Sequence, residues 1–443
     1  MPDQITTMSV VNDVLKNNQT AKAVVPQYNR KCPLYDKINI GTGMWAESGA
    51  GYQYIQPITT APMTAGTRNV SDARVDASTI TNKRAVYDPR SYIEAAMHFN
   101  FDVQIRADGT GPTKAFINNV TQQVTGCGEA VAAEISRQTY QATGTGTLCG
   151  VAVTTGATDA NIITFTDVNW EKTVKRGWID IGTPLDIWTA SSGVPTTSAP
   201  VATSRRITAI TPSASADAST ITLDGPALST ASNDAVAIGI AGNRVWNGSA
   251  NEVREITSVQ VMADASSTIG GLSPSTVPRW AGVTANASTT SSTTLTAFSI
   301  AAYQYWLELI DAKQVDVDEE DYFTVCDTTR FNHASVVLAN STNQAVRYAK
   351  TSDLEWKGTT MIPLTSGTTL VKDRMAPPNE ILGIPLKHLE YVNPRNEKLS
   401  WAETAPNQYV KWDDNHGLVG MGFWNGDIAT DRRGAIGRLR YVL

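Results

Sequence analysis

The chain lacks most of what a catalytic or metal site leaves in a sequence. Histidine is scarce: His98, His333, His388 and His416 are the four in 443 residues, and none has a partner at metal-ligand spacing. No Gly-Lys-Ser/Thr phosphate loop, dinucleotide fingerprint or Gly-x-Ser-x-Gly elbow occurs, so the commonest nucleotide-binding and hydrolase signatures are missing. Cys32, Cys127, Cys149 and Cys326 show no Cys-x-x-Cys spacing and are too few for a disulfide scaffold; reduced, buried thiols are expected. No run of about 18 apolar residues exists, and the N-terminus shows no basic segment followed by an apolar one. A soluble chain made in the cytoplasm, with no membrane role, is the expectation. Charge is low as well, at 18% of residues with a net charge of -6. That balance gives no basic excess for specific nucleic-acid binding and too little acid for disorder.

Two acidic stretches are the remaining candidates for chemistry, and neither has the pattern it would need. Asp316, Asp318, Glu319, Glu320 and Asp321 lie together, but a calcium loop needs alternating ligands and a glycine at its sixth position. A solvated connection explains them. Trp412, Asp413, Asp414 and His416 read as an exposed turn. No catalytic residue, cofactor or metal is therefore expected.

What is present is hydrophobic material, at 41%, with abundant Thr, Ser and Ala, a mixture that favours extended structure. The length exceeds what one core usually serves, so several units are expected. The strongest periodic signal lies in residues 112–142. There Phe116, Val120, Val124, Cys127, Val131 and Ile135 recur at three- and four-residue steps, and Pro112 suits a first helical turn. A helix of that length is a rod of about 46 Å, longer than a compact domain needs. Gly126 and Gly128 near its middle cost about 1 kcal/mol each relative to Ala and allow a bend.

Upstream, residues 1–45 carry Lys16, Lys22, Arg30, Lys31 and Lys37 with little periodicity and read as an arm. Strands are expected over residues 52–58 and 91–105, where Phe99, Phe101, Val103 and Ile105 alternate. The polar residues 59–89 between them form a loop long enough to need a function or a partner. Its cations Arg68, Arg74, Lys83 and Arg84 are candidate subunit-interface residues, suited to pairing with carboxylates on a neighbouring subunit. Residues 144–263 carry short β runs, at 179–187 (Ile179, Ile181, Leu185, Ile187), 207–210, 221–223 and 236–240, between turn clusters. They read as an inserted small sandwich or barrel. A helix is expected after Thr296 as N-cap, with Phe298, Ala301, Ala302, Tyr305 and Leu309 on one face. A strand at 322–325, helices over 329–349, a short strand at 381–386 and a terminal strand at 436–443 complete the order.

Arm, long two-stranded loop, long helix, α/β region and closing strand, in that order, resemble the major capsid proteins of tailed bacteriophages, the Hong Kong ninety-seven fold. Local patterns add to the likeness. Ile269, Gly270, Gly271 and Leu272, followed by Pro278, Arg279 and Trp280, look like that family's Gly-Leu and Asn-Pro-Trp-Trp-Arg stretch. Residues 296–310 and 322–331 look like elements of its A domain, and residues 381–385 look like its Gly-Leu-Pro-Val strand. Val277, Pro278 and Arg279 replace the usual aromatic pair, and minimal members lack the β insertion.

The resemblance implies an α+β fold divided into an N-terminal arm (1–45), an E-loop (46–98) and a P domain with spine helix (99–143). The inserted β domain (144–263), a P/A connection (264–294), an A domain (295–427) and a closing strand (428–443) follow. It also implies a shell subunit with no catalytic activity. Its partners would be its own copies in hexamers and pentamers, a separate scaffolding protein or none, and a portal and decoration protein. Packaged double-stranded DNA would lie nonspecifically close, its charge mostly neutralised by its own counterions. No removable scaffolding segment is expected before the arm, because the E-loop strands begin near residue 52. Some relatives join subunits through a loop lysine and an asparagine; Lys83 is a conceivable donor without an identified acceptor. Rival readings are a nanocompartment shell of the same fold, a tail-tube or decoration protein, and a secreted β-rich carbohydrate-active enzyme. The last should show a signal peptide.

Overall fold

The computed structural model describes residues 33–41, 43–48, 51–61, 81–89, 91–100, 113–141, 146–153, 161–191, 194–195, 199–215, 217–228, 235–246, 251–287, 296–313, 322–342, 361–363, 369–395, 400–401, 410–412 and 417–441. Arg68, Arg74, the acidic residues 316–321, Asp413, Asp414 and His416 lie outside them.

The chain enters with α1 (Pro33–Lys37) and β1 (Asn39–Ile40). Then β2 (Met44–Ser48), β3 (Gly51–Ala61) and β4 (Thr81–Tyr87) form an antiparallel three-stranded sheet, and β5 (Ser91–Asn100) leads to α2 (Thr113–Gln141). The strand that returns along β3 is β4, inside the segment read from sequence as loop. Ile58 pairs with Lys83 and Pro57 with Arg84. Polar residues hide it because only its last part is buried: residues 81–84 are exposed, whereas Ala85 and Tyr87 are not. β5 belongs elsewhere, pairing over its whole length with β23 (Gly417–Thr430). The expected E-loop boundary at residue 98 thus falls within a strand of another sheet.

α2 runs unbroken through Gly126 and Gly128. Its Cys127, Val131 and Ile135 are buried; Val131 and Ile135 share a core with Ile93, Trp424 and Ile428 of the β5–β23 sheet. Cys127 Sγ donates to Ala95 O at 3.1 Å. The side chains of Phe116, Val120 and Val124 lie outside what is described.

The segment that follows is a barrel. β6 (Cys149–Val153), β7 (Ile162–Phe165), β8 (Pro184–Ser191), β10 (Ala202–Thr211), β11 (Ser219–Leu223) and β12 (Ala235–Ile240) pair in the ring β10-β11-β7-β6-β12-β8, and β8 closes on β10. Two-residue β9 (Val194–Pro195) extends β8, and α3 (Asp167–Thr173) follows β7. Closure leaves no open edge in the ring. Ile163, Phe165, Leu185, Ile187, Ile221, Val236 and Ile238 are buried, as alternation requires. The alternation at 179–187 misleads in its first half. Gly177 (φ +75°) and Gly182 (φ +87°) turn the chain there, so Ile179 is buried, Ile181 is exposed, and the strand begins at Pro184. A hairpin of β13 (Arg244–Trp246) and β14 (Asn251–Val253) and a short α4 (Val259–Met262) lead out.

The rest builds a second mixed sheet, β15-β24-β19-β16-β18-β17. Its strands are β15 (Val283–Asn286), β16 (Tyr322–Cys326), β17 (Met361–Pro363), β18 (Thr369–Lys372), β19 (Glu380–Pro385) and β24 (Gly437–Arg440). α5 (Ile300–Asp311) and α6 (Thr328–Thr342) accompany it. α5 is capped by Ser299, whose Oγ accepts from Ala302 N at 3.2 Å; Thr296 instead donates from Oγ1 to Ala287 O. The later start turns the helix: Tyr303, Trp306, Leu307 and Ile310 are buried, while of the face read from sequence Phe298 is buried, Ala302 and Leu309 pack half-buried against the same core, and Ala301 and Tyr305 are exposed. β20 (Leu389–Val392), β21 (Ser400–Trp401) and β22 (Val410–Trp412) return to β23, which spans the expected boundary at 427/428.

Three buried polar contacts tie these units together. Arg176, beyond α3, donates to Asp327 Oδ2 at 2.6 Å and to the carbonyls of Arg374 and Ala376. Arg433 donates to the carbonyls of Met262, Ser267 and Asp264, and burial lowers its guanidinium to about 10. Tyr140, near the end of α2, donates to Asp373 Oδ2 at 2.7 Å, and Met375 N donates to Asp373 Oδ1.

Burial pushes the Asp373 carboxyl up to about 6. A carboxyl raised in the folded state favours folding while protonated. Stability should therefore fall as pH rises from the ordinary Asp range, about 4, to about 6, and stay level above it. Asp373→Asn keeps an acceptor for Tyr140 without the charge but loses the one for Met375 N, so it should lack the parent's fall in stability between about pH 4 and 6. Urea unfolding at pH 4, 5, 6 and 7 measures this; a constant difference between the two proteins would sink it.

Candidate subunit interface at the β3–β4 hairpin

The hairpin is buried at one end and exposed at the other. Tyr54, Ile58, Ala85 and Tyr87 form a core with Ile269, Leu272, Val277, Trp280, Val392 and Ala429. Tyr87 Oη donates to Thr430 O (3.0 Å) and accepts from Thr430 N (3.2 Å). Tyr54 Oη donates to Glu390 Oε2 (3.1 Å), and the Trp45 ring meets Tyr54 edge-on, centroids 5.3 Å apart. Burial and the Glu390 carboxylate push the Tyr54 phenol up to about 12, so it stays a donor at any physiological pH.

The Ile269–Trp280 stretch quoted in the resemblance has a physical role here. Ile269 and Leu272 close a tight turn, Trp280 Nε1 donates to Ile269 O (3.0 Å), and Val86 N donates to Gly270 O (3.0 Å). Gly270 has φ +59°, and a Cβ there would lie 2.7 Å from Ala85 Cβ. Only glycine lets this turn press against β4.

Two of the four sequence-predicted cations are in view. Lys83 and Arg84 are both exposed on β4. As strand neighbours they point to opposite faces, Lys83 on the side of Ala85 and Tyr87, so one flat surface cannot meet both. Nearer the far end, Thr59 Oγ1 donates to Asn82 Oδ1 and Thr60 Oγ1 to Thr81 O, which hold the exposed strands together. Sequence reasoning missed Tyr54 and Tyr87; the short apolar run of Ala85, Val86 and Tyr87 was the available signal.

Among the described residues no group of three or more His, Cys, Asp or Glu could hold a metal ion, and no helix is long and apolar enough to cross a membrane. Cys127, Cys149 and Cys326 are free and buried.

The described residues form an α+β fold with a long helix on one sheet, a hairpin exposed at its far end and a second mixed sheet. The chain is similar over 96% of its length to 96% of a chain in the cyanophage A-1(L) capsid asymmetric unit, at 13% identity and TM-score 0.53. It is also similar to a chain of the cyanophage P-SCSP1u capsid, covering 96% of this chain and 92% of that one at 10% identity and TM-score 0.46. A third likeness, to the SrpI encapsulin complex from Synechococcus elongatus, covers 33% of this chain and 52% of that one at 9% identity and TM-score 0.24. No family model matches the chain, and no curated protein does. The A-1(L) likeness shows that the chain has a capsid-protein fold.

Proposed function

We propose that the protein is the major capsid protein of a tailed phage, a structural subunit with no catalytic role. The observation that carries this is the end-to-end likeness to a cyanophage capsid chain, with neither chain left substantially unmatched. Copies assemble as hexamers and pentamers into an icosahedral head around double-stranded DNA. The protein is made in the host bacterial cytoplasm and ends in the virion. The β3–β4 hairpin is the E-loop, α2 the spine of the P domain, the β16 sheet the A domain, and the barrel an insertion on the outer surface. A hairpin anchored in its own core and bare beyond it suits this role: it buries surface on a neighbour without thickening the wall. Scaffolding, portal and decoration proteins remain the partners this reading implies.

Electron microscopy of the expressed protein tests it. Closed shells support the reading; rings, tubes or monomers sink it. Within that reading, the double charge reversal Lys83→Glu/Arg84→Glu should reduce the yield of shells by about tenfold. Both residues are exposed, so the thermal midpoint of the unassembled subunit should not move. Unaltered shell yield in a sucrose gradient would remove them from the interface.

A further inference from the structure

The chain crosses between α2 and the barrel twice, and both crossings meet at one buried ionic cluster. From the last turns of α2 come Glu134, Arg137 and Gln138; from the barrel side comes Asn243; from the segment just after β14 comes Glu255. Arg137 Nε donates to Glu134 Oε2 (2.9 Å), and its Nη2 donates to both Glu134 Oε1 (2.6 Å) and Glu255 Oε1 (3.2 Å). Asn243 Nδ2 donates to the same two carboxylate oxygens, at 3.2 and 3.4 Å. Gln138 completes the knot, donating from Nε2 to Glu134 Oε1 and accepting from Ile256 N. The Arg137 and Glu255 side chains are 2% and 1% exposed.

Two carboxylates that converge on one guanidinium leave one negative charge unbalanced. Glu134 is 18% exposed, but water does not reach Glu255, and a buried unpaired charge is costly enough that such a group neutralises instead. We infer that the cluster is a proton-dependent clamp: with one of its two carboxyls protonated it holds the barrel to α2, and loss of that proton loosens the barrel's two chain crossings.

The surroundings decide which carboxyl holds the proton. Burial raises Glu255, with Glu134 adding to the rise and Arg137 and the Gly146 amide opposing it; at Glu134 the bonds from Arg137, Gln138 and Asn243 outweigh burial and hold it low. Glu255 is the proton carrier. Arg244, next to Asn243, is buried with its guanidinium over the Trp188 ring, 5.8 Å from the centroid. Asp427 of β23 is bound to Thr257 N and Oγ1, and the Glu252–Arg254 pair is exposed on the cluster's own segment. Arg137 is the cation that acts on Glu255.

The sign follows from linkage. A carboxyl raised in the closed state binds its proton more tightly there than when opened, so opening becomes easier as pH rises through the range above the ordinary Glu value. Hydrogen exchange of the full-length subunit from pH 4.5 to 9, corrected for intrinsic rates, reads this directly. Opening of residues 146–153 and 251–258 should increase by about tenfold per pH unit within that range, while α5 changes little. Glu255→Gln should flatten the dependence, and so should Glu134→Gln, because either leaves one carboxylate facing one guanidinium. A merely structural role would instead loosen both variants at every pH and leave the slope in place. A flat profile in the parent protein, an unchanged slope in both variants, or failure of both to fold would each overturn the clamp.

Discussion

Gly437→Val should destabilise the folded subunit by about 3 kcal/mol, seen as a clear drop in thermal midpoint. The cause is a flat floor made of two glycines. Gly383 of β19 and Gly437 of β24 stand opposite each other in register, and the fully buried ring of Trp306 from α5 lies over both. A Cβ at Gly437 would sit 2.7 Å from Ile310 Cδ1 and 2.8 Å from Trp306 Nε1. One at Gly383 would meet Trp306 Cη2 at 2.8 Å and collide with Tyr322 Oη. Neither ring can retreat easily, because Tyr322 Oη donates to Ala435 O and Tyr303 packs against Trp306 with centroids 5.5 Å apart. The double variant Trp306→Leu/Gly437→Val should lose less than the sum of the two single changes, since the smaller side chain vacates the space that valine needs. Additive losses in urea unfolding would show that the two sites do not compete for one volume.

Gly383 was visible in the sequence only as an interruption in an apolar run, and that contrast runs through the molecule. Local periodicity is legible: the stripe Cys127, Val131, Ile135 marks α2, and the short apolar runs at 221–223 and 236–240 mark barrel strands. Barrel closure was open between two architectures, because β8 pairing with both β10 and β12 is decided by register far along the chain. The hairpin was misread because exposure controls pattern. Residues 81–84 face solvent on both sides, so β4 shows no alternation until Ala85. The start of α5 was misjudged because Thr296 and Ser299 are both good caps, and only the bond from Thr296 to Ala287 O removes the first from the competition. The candidate interface was legible as an unusual stretch, but its anchoring tyrosines were not, since their partners Glu390 and Thr430 lie 336 and 343 positions away. Long-range polar contacts leave no period in a sequence.

Asp327→Ala should be about as damaging as any single change in the protein, at about 4 to 5 kcal/mol, because one carboxylate performs two tasks. Its Oδ2 receives Arg176 at 2.6 Å, joining the segment beyond α3 to the second sheet. Its Oδ1 accepts from Arg330 N at 2.6 Å and caps the start of α6. Both side chains of the ion pair are almost wholly buried, at 6% and 4% exposure. Removing the acid therefore leaves a guanidinium away from water, with the carbonyls of Arg374 and Ala376 and the field of the buried Asp373 carboxyl in place of a direct carboxylate partner. The two tasks separate by substitution. Asp327→Asn keeps an acceptor for Arg330 N while removing the charge, so it should spare the cap, which is worth about 1 kcal/mol, and lose the rest. Arg176→Met/Asp327→Asn removes both charges and should recover most of what Asp327→Asn loses, since two absent charges cost far less than one left alone. Urea midpoints of the four proteins give the order: parent, then the double variant, then Asp327→Asn, then Asp327→Ala. If Asp327→Asn proved as stable as the parent, the pair would contribute only geometry, and the link between the barrel segment and the second sheet would rest on apolar packing.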